Sequence, residues 1–132
     1  MPNATGSFEV KLTPQPAEAG NAALGRMTID KQFHGELEAV SQGLMLSAMT
    51  GTKGSAGYVA MEIVDGTLSG RKGTFVLQHS GTMKRGEPEL TVTVVPDSGT
   101  GELGGISGRM NIRNEPGGKH SYDFDYQIAE TP

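Results

Sequence analysis

The feature that most constrains this chain is its alternation of apolar and polar residues with a period of two. Phe8, Val10 and Leu12 alternate with Ser7, Glu9 and Lys11, and Met27, Ile29 and Phe33 alternate with Arg26, Thr28, Asp30 and Gln32. That period places successive side chains on opposite faces of an extended strand. The same reading gives strands over Leu37–Met49, Tyr58–Val64, Thr74–His79, Leu90–Val95, Arg109–Arg113 and Tyr122–Ile128. No apolar i, i+3, i+4, i+7 pattern is long enough for a helix. Residues 17–24 come nearest, and Gly20 and Asn21 interrupt them.

Turn chemistry separates the strands. Pro14 and Pro16 end the first, and Asp65-Gly66 reads as a hairpin turn after the fourth. Twenty glycines and seven prolines suit many short strands and tight connections. A chain of 132 residues forms one domain over its whole length. Eight strands with hairpin-length connections predict an all-β fold, an eight-stranded antiparallel barrel with little or no helix. Closure removes the two sheet edges that otherwise invite aggregation. A β-sandwich is the structural alternative. A barrel of this size holds either packed side chains or one small ligand.

Several function classes drop out on composition. The net charge is −4, and no basic cluster exceeds Arg71-Lys72 or Lys84-Arg85. Nucleic-acid binding needs a concentrated positive face, so none is expected. The chain has no cysteine, which excludes disulfides, thiol catalysis and thiolate metal sites. The first residues, MPNATGSFEV, carry neither a basic segment nor an apolar one, and no apolar run approaches the roughly 20 residues of a membrane helix. The expectation is a soluble cytoplasmic protein without a membrane partner.

Gly99 to Gly108 holds five glycines in ten residues, directly after the run Leu90–Val95. Gly99, Gly101 and Gly104 spell G-x-G-x-x-G, which suggests a dinucleotide fingerprint. That motif needs a helix starting within the glycines and a parallel strand after it. Here Gly105 and Gly108 occupy the helix position, and Met110 to Arg113 resumes a strand period. The stretch therefore reads as a tight, partly helical corner whose glycines permit positive φ and close backbone approach.

This strand–glycine corner–strand signature resembles that of allene oxide cyclase and dirigent proteins. More closely, the chain resembles a bacterial family, domain of unknown function 3224. The match rests on Phe33-His-Gly35, Gly57-Tyr-Val-Ala-Met-Glu62, Gly70 to His79, Val94 to Gly101 and Leu103 to Gly108, and it spans Phe8 to Tyr126. The resemblance implies an allene-oxide-cyclase-like barrel, often oligomeric, with no established reaction. Allene oxide cyclase works with a glutamate inside its barrel, supported by a polar set that includes a cysteine. This chain lacks that cysteine.

Strand parity selects the candidate site residues. Ala56, Tyr58, Ala60, Glu62 and Val64 share one face of the fourth strand, with space around Tyr58 and Glu62. Phe75, Leu77 and His79 share a face of the fifth, and His120, Tyr122, Phe124 and Tyr126 a face of the eighth. If these faces point inward, Glu62 is the candidate general acid or base, and Tyr58, His79, Phe75 and Tyr122 the candidate ligand contacts. Desolvation is expected to raise the pKa of a carboxyl in such an interior. The alternative is that Glu62 only pairs with a neighbouring Arg or Tyr, or faces solvent.

The three histidines, His34, His79 and His120, lie on different strands without metal-ligand spacing, so neither metal nor cofactor is expected. Ser80 and His79 point to opposite faces and form no dyad. Val59, Met61 and Ile63, with Val40, Leu44 and Leu46 on the third strand, form a second apolar face. They imply a cover outside the barrel, with another subunit as the expected one. The functional expectation is a module binding a small, largely apolar molecule in the interior. The alternatives are a cofactor-free isomerase or cyclase using Glu62, and a packed barrel with a structural or oligomeric role.

Overall fold

A computed structural model describes residues 2–15, 24–115 and 117–129. The alternating stretches form eight strands: β1 (Asn3–Gln15), β2 (Leu24–Gly35), β3 (Leu37–Met49), β4 (Ala56–Leu68), β5 (Arg71–Lys84), β6 (Glu87–Val94), β7 (Ile106–Glu115) and β8 (Lys119–Ile128). Each pairs antiparallel with its sequence neighbour, and β1 pairs with β8 to close the barrel. The weak helical pattern over residues 17–24 falls almost wholly outside the described residues.

Most strands run longer than their apolar cores suggest. Asp65-Gly66 is not a turn: β4 continues through it, with Asp65 opposite Thr74 and Gly66 opposite Gly73. Gly66 lies so close to β3 that a Cβ there would come within 2.6 Å of the Ala39 Cα. The glycine serves strand approach, and the chain reverses at Ser69-Gly70 instead. Both residues have positive φ, 48° and 84°, as a type I′ turn requires of its central pair. Pro14 likewise sits inside β1, opposite Met27.

The glycine-rich stretch forms the expected corner, built round a single 3-10 turn, Gly101–Leu103. Gly101 and Gly105 take φ values of 59° and 81° there. β6 and β7 share only the pair Thr93↔Arg109, because the corner lies along β5 in place of further ladder. The Thr100 N–H donates to the Thr74 carbonyl at 2.8 Å, and the Val76 N–H to Ser98 Oγ at 3.0 Å. The corner thereby satisfies backbone groups that β6 leaves open, and it drives Leu103 into the core.

The barrel interior divides along its axis. One end is filled by Phe33, Phe75, Phe124, Leu37, Leu68, Leu77 and Leu103, all essentially buried. Phe75 stacks on Phe124 with ring centroids 5.8 Å apart, and Phe33 meets Tyr122 edge-on at 5.6 Å. The other end is open. Outside, Val40, Leu44, Leu46, Val59, Met61 and Ile63 are exposed, so the second apolar face of β3 and β4 points away from the core.

Candidate functional site

The inward parity of three adjacent strands and their neighbour builds one polar cluster. Glu62 on β4 is 1% exposed, beneath the open end. Its Oε1 accepts hydrogen bonds from Lys31 Nζ of β2 at 3.0 Å and His79 Nε2 of β5 at 2.8 Å. Ser41 Oγ of β3 donates to Oε2 at 2.7 Å. Gly43, opposite Glu62, makes room, since a Cβ there would fall 2.8 Å from the glutamate Cα and Cβ. Every buried side-chain nitrogen or oxygen of the described residues has a partner, as a low-dielectric interior demands.

The electrostatics reverse one expectation. Burial does push the Glu62 carboxyl upward, but it is outweighed. The His79 hydrogen bond, the charges of Lys31 and His79, and the Ser41 hydroxyl hold its pKa down at about 2. Glu62 is thus a carboxylate at neutral pH, not the raised acid that desolvation alone predicts. Having no proton to give, it accepts, so His79 Nε2 carries the hydrogen of that bond.

Above the cluster lies a cavity of ≈ 580 Å³. Its walls are largely apolar, including Phe8, Val10, Ile29, Met45, Ala60 and Ile112. Lys31 and His79 line it, as do Tyr58 and His120. Burial first, and then the Glu62 charge, raise the Tyr58 phenol above its ordinary value, so it remains a neutral donor. His120 stacks on Phe8 at 5.1 Å and bonds Asn114 through Nδ1 at 2.8 Å. A second hollow of ≈ 570 Å³ follows the outer face past Leu44, Leu46, Val59 and Met61. Arg26, Gln78 and His79 also border it.

The structure brings Glu62, His79 and Tyr58 towards one end but separates Phe75 and Tyr122 from them. Phe75 lies in the filled end. The Tyr122 hydroxyl is spent there, donating to the His34 carbonyl and accepting from the Leu37 N–H, each at 3.0 Å. Neither residue lines the cavity. His34 lies at the surface, bonded to Glu9 at 3.2 Å. No group of three or more potential metal ligands occurs among the described residues. Sequence parity overlooks Lys31 and Ser41. The signal is present: Lys31 falls on the apolar parity of Ile29 and Phe33, where a charge requires a partner.

Geometry defines the class: a closed eight-stranded antiparallel barrel, filled at one end and open at the other above a buried charge cluster. The chain belongs to the family described as Protein of unknown function (DUF3224), which matches residues 4–126. It is similar to a protein of unknown function from the same family of Shewanella oneidensis MR-1, known as a crystal structure. The two share 55% identity over 99% of each chain, with a TM-score of 0.93. No curated protein matches the chain.

Proposed function

We propose that this protein binds one small, largely apolar molecule in the open half of its barrel, with the ligand's polar group turned towards Lys31, His79 and Tyr58. The carrying observation is the cavity of ≈ 580 Å³, whose apolar walls meet those polar side chains. Ligand sites characteristically combine an apolar lining with a few convergent polar groups. Kinship with the allene-oxide-cyclase-like barrels is supported by the strand count and the glycine corner, and it extends to fold alone.

The test uses 1-aminoanthracene, an apolar dye that brightens on leaving water. One equivalent should bind, and Ala56→Trp, which fills the open end, should weaken it at least tenfold. Met61→Glu, on the outer face, should leave it unchanged. Absence of binding, or binding sensitive to Met61→Glu and indifferent to Ala56→Trp, overturns the reading.

A further inference from the structure

We propose that His79 is a general base that removes a proton from the carbon beside a carbonyl of the bound molecule, making the site a cofactor-free isomerase of apolar ketones. The proposal rests on the binding reading above and adds a reaction to it.

The argument begins with which ring nitrogen is free. His79 Nε2 donates to Glu62 Oε1 at 2.8 Å, which leaves the lone pair of the neutral imidazole on Nδ1. No described residue bonds Nδ1. No buried side-chain nitrogen of the described residues is left without a partner, so Nδ1 is not sealed in the wall. His79 lines the cavity, as it does the outer hollow, and in the proposed reaction Nδ1 opens towards the ligand. A buried carboxylate that orients one imidazole nitrogen and leaves the other free as a base is the arrangement proton abstraction needs. Glu62, 1% exposed, acts through His79 as a positioning residue.

The second requirement is an electrophile for the oxygen. Lys31 Nζ lies 3.0 Å from the same Oε1 and also lines the cavity, so cation and base stand side by side. The ammonium has three donors, and Glu62 occupies one. It also sits 5.0 Å from the Phe8 ring centroid, at the apolar wall. The step balances without a co-reactant. Nδ1 takes the proton, the C–H electron pair becomes the C=C bond of an enolate, and its oxygen is met by Lys31. The imidazolium, paired with Glu62, returns the proton to the same carbon or, in an unsaturated ketone, to the carbon two bonds further on. The double bond moves and nothing is oxidised or reduced. The groups around His79 suit this step: Glu62 fixes it, Lys31 stands beside it on the same carboxylate oxygen, and Tyr58 borders the same cavity.

The experiment uses 1-tetralone in D2O, with NMR following both binding and deuterium entry beside the carbonyl. Per molecule of bound ketone, exchange should run at least tenfold faster in the native protein than in His79→Gln, each measured at its own saturating ketone concentration. Binding with exchange no faster than that of His79→Gln overturns the proposal and leaves the binding reading standing. So does refusal of 1-tetralone by a protein that still takes up 1-aminoanthracene. If neither compound binds, both readings fall. A measurement independent of any variant is the ¹⁵N shift of the His79 ring: Nδ1 should be the unprotonated nitrogen, and a protonated Nδ1 overturns the proposal.

Discussion

The two halves of the barrel interior are built from the same alternating strands and behave oppositely. In the filled half, inward positions carry Phe33, Phe75 and Phe124, with Leu103 of the glycine corner closing the end. In the open half the same strands place Ala56 and Ala60, or the long ends of Lys31 and Met83, around empty space. Glu62 marks the boundary, one step inward of Ala60 on β4. Parity decides that a side chain points in, but its height along the axis decides whether it meets a neighbour or a ligand. The division predicts that stability and binding are separable along one strand.

The largest effect should come from the filled half. Phe124→Ala removes a ring packed between Phe75 and Tyr126 and should cost about 3–5 kcal/mol in urea unfolding. Dye affinity should change little while the protein stays folded. Leu90→Ala, at the half-exposed mouth, should cost about 1 kcal/mol or less yet weaken the dye. If both substitutions reduce stability and binding in proportion, the halves are not independent.

At the boundary, acid supplies the probe. The Glu62 pKa is depressed from 4.5 to about 2 in the folded chain. The carboxylate therefore contributes stability that is fully present above pH 4.5 and lost as the pH falls through about 2. By linkage the contribution is about 3 kcal/mol. Glu62→Gln cannot titrate, so its stability deficit relative to the native chain should shrink by about that amount across the window. A constant deficit in urea melts over that range would remove Glu62 from the boundary role.

Much of this was legible in the residues. The eight strands follow from alternation and the corner from the glycines of residues 99–108. Strand count favours a barrel over a sandwich, and the β1–β8 pairing decides it. The inward placement of Tyr58, Glu62 and His79 follows from parity. Two kinds of information were out of reach. Asp65-Gly66 has the composition of a turn, yet tertiary approach to Ala39 recruits its glycine for strand packing. Axial height is the other, because period-two patterning carries no measure of it. Phe75 shares a strand face with His79 and still lies in the opposite half. The Glu62 environment also needed contacts, since its partners Lys31 and Ser41 come from two other strands.

The two tyrosines give the smallest and sharpest version of the comparison. Both point inward and both are pushed above the ordinary phenol value chiefly by burial. The Tyr122 hydroxyl takes the Leu37 N–H and the His34 carbonyl as partners, whereas that of Tyr58 has no partner among the described residues and borders the cavity. Tyr122→Phe should therefore cost about 1–3 kcal/mol by orphaning a buried N–H and leave 1-tetralone affinity unchanged. Tyr58→Phe should alter stability by no more than about 0.5 kcal/mol. Its effect should appear in 1-tetralone affinity, a loss of about two- to tenfold, the worth of one neutral hydrogen bond. Denaturation and titration of the two variants decide the matter. The reverse pattern would place the ligand among the phenylalanines and the structural staple at the mouth.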